Sequence, residues 1–495
     1  MTDRPIVSPQ PSPVQVDAPE ARSASGALGW SFLNTVVAKL GTLVTGVVLA
    51  RTLGPAEFGS FAIAMVALIA VLSLNELGVS LAIVRWPGDP RTIAPTVNSI
   101  SVAASLLLLV AVYVLAPPFA GAMGDPSATS LVRLLAVAVL IDGVVAVPAA
   151  MLQRSLRQDR KFAADQVNTW VGAATTLLLA LSGAGAISLV VGRLVGSLLA
   201  AVVILRSSPL PYRLGWSRSQ SRALLGYGLP LALASLVVFA VGFADQVAIG
   251  TSLGPVALGY YVLAVNLASW PVFLFSQPIR SVAPAVFARI QDDPGRMGQA
   301  YGQFVRPVSA LAVPSCLALA ASAEPVVRIV YGDQWAPAAA ALRWLALMAV
   351  LRILFELSYD VLVVTSSSHK VFTTQLAWLC ALAPALLLAT SAGFGIAGVS
   401  VAQVLVGSLV VLPIYLFHLH RQGVMPLLQL RGTLPVVSVS ALSVAAAYLL
   451  APVTLSDWGF VLVVAAVTAP VVVLFLLRAR PDIMAWRSMR AEALR

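Results

Sequence analysis

The chain is a nearly continuous series of apolar segments, each long enough to cross a lipid bilayer. A membrane-spanning helix needs about 20 apolar residues, and within lipid only helices and closed barrels satisfy their own backbone polar groups. Because 59% of the 495 residues are hydrophobic and only 10% are charged, we predict an all-α integral membrane protein with about 14 transmembrane helices. The predicted spans are 28–50, 57–80, 97–121, 129–152, 163–184, 187–205, 222–247, 255–277, 303–323, 337–364, 371–391, 396–417, 433–452 and 458–478.

One short motif occurs twice, and each copy joins two predicted spans. The copies are Leu53, Gly54, Pro55 and Gly59 in the first half of the chain, and Leu253, Gly254, Pro255 and Gly259 in the second. The glycine after the leucine is expected to end one helix in a left-handed conformation, and the proline begins the next helix. A repeated membrane hairpin is typical of a transporter built from two similar halves. Six predicted spans separate the copies, so both hairpins should face the same side.

The repeat predicts two pseudo-symmetric six-helix lobes followed by a helix pair. The expected units are a disordered cytoplasmic tail (1–26), a first lobe (27–206), a cytoplasmic linker (207–221), a second lobe (222–420), a C-terminal helix pair (421–478) and a basic cytoplasmic tail (479–495). The two lobes should be related by an axis along the membrane normal, because each copy contains an even number of spans. The loops between spans are too short to form a soluble domain.

The distribution of basic residues predicts the orientation in the membrane. With both termini placed in the cytoplasm, 24 of the 31 Lys and Arg residues fall in cytoplasmic segments. The exceptions are Arg51 and Arg328 in outer loops, and Lys39, Arg133, Arg193, Arg343 and Arg352 within or at the edge of spans. Cytoplasmic loops of membrane proteins carry such an excess. The net charge of +11 is therefore expected to face anionic lipid headgroups, and not nucleic acid.

The sequence around both hairpins resembles the polysaccharide-exporting flippases of the Wzx type. The resemblance rests on 50–55 with Phe58 and Gly59, and on 245–250 followed by the second motif, and it covers about 25–420. That family belongs to a superfamily shared with lipid II flippases and with multidrug and toxin extrusion transporters. The resemblance implies export of a polyprenyl-pyrophosphate-linked oligosaccharide, a cell-surface polysaccharide precursor, across the bacterial cytoplasmic membrane by alternating access.

The same resemblance indicates the partners of the chain. They are the lipid-linked glycan and membrane lipids, and it also allows an H+ or Na+ gradient and polysaccharide assembly proteins. Neither the glycan nor the source of energy follows from the sequence.

Ionisable residues at membrane depth are costly and usually functional. Lys39 lies near the middle of the first span, and Thr35 and Thr42 share its helical face. A wet cavity would explain this polar stripe, although a long lysine side chain can also extend to the headgroups. Arg193 in span 6 would have Asp142 in span 4 as a partner.

Three more charged residues recur at every fourth position of span 10, namely Arg352, Glu356 and Asp360. They form either a substrate or coupling site, or an internal ion pair on one helix. Asp245 lies near the outer end of span 7, where it either pairs with a cation in the cavity or reaches the interface. The predicted substrate cavity therefore comprises Lys39, Thr35, Thr42, Arg193, Asp245, Arg352 and Glu356.

The sequence contains no pattern typical of a catalytic or metal site. His369, His418 and His420 lie at the ends of spans, and the acidic pair Asp292–Asp293 lacks a second acidic motif. We therefore expect a non-enzyme without cofactor or metal. Two alternatives to a flippase remain open. A drug or cation antiporter would need a carboxylate in the first-lobe cavity, and a membrane glycan polymerase or ligase would need a sizeable outer loop.

Overall fold

The computed structural model describes residues 41–42, 45–75, 83, 88–155, 157–280, 283–291, 293–365, 368–451, 455–482 and 484. The regular structure of these residues is helical throughout. The helices are α1 (Pro55–Asn75), α2 (Ala94–Ala122), α3 (Thr129–Leu135), α4 (Val137–Arg154), α5 (Gln158–Leu181), α6 (Ala186–Ser207), α7 (Arg218–Arg280), α8 (Ala283–Arg289), α9 (Pro294–Ala321), α10 (Ala323–Tyr331), α11 (Ala338–Thr365), α12 (Ser368–Ser391), α13 (Gly395–Val406), α14 (Leu412–Arg421), α15 (Pro426–Arg431), α16 (Leu434–Leu450) and α17 (Asp457–Arg478).

The all-helical class is confirmed, and the described parts of the predicted spans from the second to the last are helical. The first span lies mostly outside the described residues, although 45–52 is helical. Within the described residues, ten helices are long and apolar enough to cross a membrane, and Leu434–Leu450 is a shorter apolar helix. One of the ten, Ala232–Ser276, contains two predicted spans that meet at Gly254. The count of fourteen therefore stays a prediction.

The two copies of the repeated motif form their turns in different ways. In the first, the Gly54 N–H donates to Glu57 Oε2 at 3.0 Å, so Glu57 caps the start of α1. In the second, Gly254 has φ 82° and ψ 179°, a region that is essentially restricted to glycine. The expectation of a left-handed glycine is wrong for Gly54, which is not among the positive-φ glycines. Gly254 has a positive φ with an extended ψ.

The two halves of the chain cross where their hairpins meet. A Cβ atom placed on Gly59 would collide with the Pro255 carbonyl, and one placed on Gly259 would collide with the Pro55 carbonyl. This reciprocal contact is what a two-fold relation between similar lobes produces. Small residues allow such close backbone approach between membrane helices. Both hairpins therefore lie at one end of the molecule, which we call the hairpin end.

The connection between the lobes lies at the opposite end, which we call the linker end. There the Asn98 side chain donates to the Arg213 carbonyl at 3.0 Å, and the Gly215 N–H is within 3.2 Å of the Pro95 carbonyl. Leu224, in the second turn of α7, packs with Ile93 and other residues of the first lobe. The linker and the first turns of α7 are thus attached to the first lobe.

The C-terminal helix pair packs against the second lobe. Val436 of α16 and Phe475 of α17 share a buried apolar cluster with Val313 of α9. The Tyr448 hydroxyl donates to the Ala321 carbonyl at 2.8 Å, and Arg306 lies 3.5 Å from Asp482. This pair therefore extends the second lobe on the side of α9.

Candidate functional site

The lobes are sealed together at the hairpin end by a buried tryptophan. Trp335, between α10 and α11, is fully buried and donates its indole N–H to the Ala50 carbonyl at 2.6 Å. Its ring packs edge-on against Phe58 of the first hairpin, at 5.2 Å between centroids, and against Tyr260 of the second, at 5.9 Å. Trp335 thus contacts both hairpins at once.

Polar contacts surround this tryptophan. Arg51 donates to the carbonyl groups of Val330 at 3.0 Å and Ile329 at 2.6 Å. Gln334 donates to the Ala50 carbonyl at 3.0 Å. The segment before α11 is therefore fixed to the first hairpin by several hydrogen bonds to backbone carbonyls.

The turn between α2 and α3 makes the corresponding contact with the second hairpin. A Cβ on Gly250 would collide with the Met123 side chain, and a Cβ on Gly124 would lie 3.1 Å from the Gly250 carbonyl oxygen. Each lobe therefore covers the other lobe's hairpin with the loop that follows its third span. The hairpin end of the molecule is closed.

Exposed or half-buried charged side chains occur in both lobes on the linker side of the seal. On α11, Met348 and Ala349 lie about one turn nearer the hairpin end than Arg352, and both are buried. Arg352 itself is exposed, and Glu356 is half-buried. On α4, Ala138 and Val139 are buried and Asp142 is exposed. The same change occurs in both lobes. We infer that these charged residues line a cavity between the seal and the linker end.

Asp245 is a buried carboxylate in the second lobe, 6% exposed, with three hydrogen-bond donors. The Tyr261 hydroxyl donates to it at 2.6 Å, the Gln403 amide at 2.5 Å and the Gln246 backbone N–H at 2.8 Å. These contacts join both arms of α7 to α13. A buried carboxylate needs such donors because it has lost its hydration.

Arg352 lies close enough to Asp245 and Tyr261 to interact with them electrostatically. Within the described part of the chain, however, its guanidinium group makes no hydrogen bond or ion pair. The structure brings Arg352 and Asp245 together, as two predicted cavity residues, but leaves the arginine's donors available.

Glu356 and Asp360 contact a different arginine. Arg280, at the end of α7, lies 3.9 Å from Glu356 and 3.4 Å from Asp360. The Ser276 hydroxyl also donates to Glu356. The alternative of an ion pair within α11 is thus wrong as far as the described residues show, since the partner of both carboxylates comes from α7.

In the first lobe, Asp142 of α4 and Arg193 of α6 interact electrostatically without direct contact. The Asn75 amide donates weakly to Asp142 at 3.4 Å, and the Ser105 hydroxyl donates to Asn75 at 2.8 Å. Both charged side chains are accessible, so Asp142 is held far more loosely than Asp245.

The remaining predicted residues are only partly described. Lys39 and Thr35 lie outside the described residues, as does Asp292 of the acidic pair. Thr42 is described and exposed. Among the residues that the structure describes, no group of three or more His, Cys, Asp or Glu side chains is placed to hold a metal ion.

Several contact residues were not found from the sequence. Arg280 looked like an ordinary basic residue at the cytoplasmic end of a span, and Tyr261 and Gln403 looked like ordinary residues within spans. Trp335 lies in a short loop that has no motif. The one available signal was that Tyr261 and Arg280 lie on the arm of α7 that follows the second copy of the repeated motif.

The chain is similar to known proteins in sequence and in fold. A family described as "Polysaccharide biosynthesis protein" matches residues 48–340. The succinoglycan biosynthesis transport protein ExoT of Rhizobium meliloti (strain 1021) is 27% identical over 333 residues, which are 66% of this chain and 66% of that protein. The chain thus matches slightly less than two thirds of the length of this relative.

Two solved structures share the fold. The lipid II flippase MurJ, in an inward closed conformation, has a TM-score of 0.76 at 14% identity, covering 92% of this chain and all of that one. An inward-facing multidrug resistance MATE family transporter of the MOP superfamily has a TM-score of 0.61 at 18% identity, covering 80% and 98%. At these identities the likeness concerns the fold alone.

Proposed function

Because the chain belongs to the polysaccharide biosynthesis protein family, which matches residues 48–340, we propose that it translocates a polyprenyl-pyrophosphate-linked oligosaccharide across the bacterial cytoplasmic membrane. The resemblance of both hairpins to polysaccharide flippases is confirmed by this match. The proposed mechanism is alternating access, in which the two lobes open to one side and then to the other.

The observation that carries the proposal is the position of the charged groups relative to the seal. The hairpin end is closed around Trp335, and the charged residues Arg352 and Asp142 are exposed on the linker side of that seal. Sugars and pyrophosphate lose their hydration in hydrocarbon and cannot cross it unaided. A cavity that contains cations and opens to one side would admit such a headgroup while the polyprenyl chain stays in lipid.

The proposed cavity residues are the seven predicted from the sequence. Arg193 and Arg352 would hold phosphate in a planar fork, whereas Lys39 would act as a point charge. Glu356 would act through Arg280, and Asp245 would position Arg352 without contacting the substrate. Thr35 and Thr42 would extend the polar surface along the first span.

The proposed orientation places the hairpin end outside and the linker end in the cytoplasm, with both termini cytoplasmic. This orientation follows from the excess of basic residues in the segments that would face the cytoplasm. In the state described here the cavity would then open to the cytoplasm, where lipid-linked oligosaccharides are assembled. Membrane lipids, an H+ or Na+ gradient and polysaccharide assembly proteins would be its partners.

The test is transport by the purified protein in lipid vesicles. We expect labelled lipid-linked oligosaccharide to become accessible to a glycosidase on the opposite side, and Arg352→Ala to slow its appearance at least tenfold. Arg343→Ala is the matched control, because Arg343 pairs with Glu324 near the hairpin end, outside the cavity. Equal rates in vesicles with and without the protein would refute the proposal. An imposed ion gradient in parallel samples identifies the driving ion.

One observation favours an antiporter as the second candidate. The first lobe does contain an accessible carboxylate, Asp142, which such a transporter would use to exchange a cation. Asp142→Asn separates the two functions. A flippase should retain glycan export in this variant, whereas an antiporter should lose ion-coupled efflux of a cationic dye. The glycan polymerase and ligase alternatives gain no support from the described loops.

A further inference from the structure

The charged residues of α11 lie in a row that runs along the proposed cavity. Arg352, Glu356 and Asp360 are spaced by one helical turn each, so they share one face of the helix. With a rise of 1.5 Å per residue, Asp360 lies about 12 Å closer to the linker end than Arg352. Arg280 contacts the last two of these residues. The two carboxylates therefore lie between two arginines, Arg352 on the hairpin side and Arg280 of α7 on the linker side.

The positive charge of Arg280, the arginine at the linker end, is opposed by two carboxylates. The Arg280 side chain is 36% exposed and lies between the carboxylates of Glu356 and Asp360. Two carboxylates and one guanidinium group give this cluster a formal charge of −1. An incoming anion would have to displace at least one carboxylate from the guanidinium group, which weakens its binding.

The arginine at mid-depth is in the opposite situation. Arg352 has no contacting carboxylate among the described residues. The carboxylate nearest to it by electrostatic interaction, Asp245, already accepts three hydrogen bonds from Tyr261, Gln403 and the Gln246 backbone. Arg352 can therefore offer its planar fork of N–H donors to a phosphate oxygen pair.

We propose that the second lobe contains two successive phosphate-binding positions, Arg280 at the mouth of the cavity and Arg352 deeper. Along α11, Arg352 lies about 6 Å beyond Glu356 and about 12 Å beyond Asp360, the two carboxylates that Arg280 contacts. This inference rests on the proposed function, because it takes the ligand to be the pyrophosphate of a lipid-linked substrate. Glu356 and Asp360 keep the first position weak, so that the headgroup moves on to the second.

This arrangement explains why two carboxylates, Glu356 and Asp360, lie in a cavity that we propose binds an anion. A cation that binds the headgroup tightly at the mouth would hold it there and delay transport. Competing carboxylates lower that affinity, whereas Arg352 has no contacting carboxylate among the described residues and keeps its full attraction for an anion. The headgroup thus meets increasing affinity as it moves toward the seal.

The experiment measures binding of polyprenyl pyrophosphate without sugar to the full-length protein in nanodiscs. We compare wild type with Glu356→Gln, Arg352→Ala and Arg352→Lys, with Arg343→Ala as the control. Glutamine can still accept the hydrogen bond from Ser276, so Glu356→Gln should fold normally. It should bind the probe several-fold more tightly and transport substrate more slowly. Arg352→Ala should bind at least tenfold more weakly, and Arg352→Lys should recover part of the loss.

Additional arms distinguish the sources of phosphate. Nanodiscs with and without phosphatidylglycerol show whether an anionic lipid headgroup occupies the site, and inorganic pyrophosphate shows whether the prenyl chain is needed. Phosphatidylglycerol that displaces the probe equally from wild type and Arg352→Ala would overturn the inference, because the arginine would then not set the selectivity for pyrophosphate.

The two proposals fail in different ways. If wild-type protein transports the glycan but Glu356→Gln binds the probe no more tightly than wild type, the inference of two positions is wrong and the proposed function stands. If Arg352→Ala binds like wild type, the deeper position is likewise excluded. If wild-type protein neither binds the probe nor transports the glycan, both proposals are wrong.

Discussion

Gly59 lies directly against the carbonyl group of Pro255, a residue of the other half of the chain, and Gly259 repeats this contact against Pro55. A methyl group at position 59 would occupy the space of that carbonyl. Gly59→Ala should therefore destabilise the state that is closed at the hairpin end, by about 1–3 kcal/mol as for other overpacked sites. Labelling of a cysteine placed at Ser60 should become faster in this variant.

Gly54→Ala is the matched control for that change. Gly54 belongs to the same hairpin, has open space around its Cβ position and does not have a positive φ. Its labelling rate and melting temperature should stay close to wild type. Equal behaviour of the two alanine variants would contradict the close crossing of the hairpins.

Trp335→Ala should open the hairpin end by removing the residue that contacts both hairpins. The change removes one hydrogen bond to Ala50 and two aromatic contacts, and a buried tryptophan typically contributes about 3–5 kcal/mol. Thermal unfolding in detergent and accessibility from the hairpin end report the effect. Trp216→Ala, in the exposed part of the linker, should leave both unchanged. A Trp335→Ala protein as closed as wild type would show that the backbone contacts suffice.

Lys39→Ala should impair export more than Lys39→Arg. Lys39 lies outside the described residues, so its place in the cavity stays a prediction from its depth in the first span and from the polar stripe around it. Alanine removes a costly charge and should not prevent folding, whereas arginine keeps the attraction for an anion. The measurement is complementation of export at equal protein level. Full export by the alanine variant would mean that Lys39 is only a tolerated charge.

The orientation is tested by single cysteines at the two ends of the molecule. Ser219 and Ser130 are both exposed, the first at the linker end and the second at the hairpin end. A membrane-impermeant maleimide should label Ser130→Cys in intact cells, and Ser219→Cys only after permeabilisation. The reverse pattern would invert the direction of transport inferred from the basic residues.

The sequence was sufficient for the class of fold because the physical constraint of the bilayer is strong. Apolar length specifies helices, and the repeated Leu-Gly-Pro motif specified two like hairpins at the same end. The details of those hairpins were not accessible, since Glu57 caps only the first and Ala257 stands at its equivalent in the second. Two turns with the same motif thus close by different local interactions.

Individual partners in the cavity could not be predicted for a related reason. Spacing places Arg352, Glu356 and Asp360 on one face, but it does not reveal which neighbouring helix that face meets. Arg280 is 80 residues away from Asp360 in sequence, and Gln403 is 158 residues away from Asp245. Such contacts depend on how helices pack, and a single sequence contains no direct record of that packing.

The attachment of the linker to the first lobe has a consequence for the movement between lobes. Leu224 packs with the first lobe, whereas Asp245, further along the same helix, is bonded within the second. A change in the angle between the lobes must therefore be absorbed by bending α7 between these two residues. That stretch contains Pro230, and a proline inside a helix removes a backbone hydrogen bond and favours a bend there. We therefore expect α7 to bend in this stretch when the angle between the lobes changes, and the linker to move together with the first lobe.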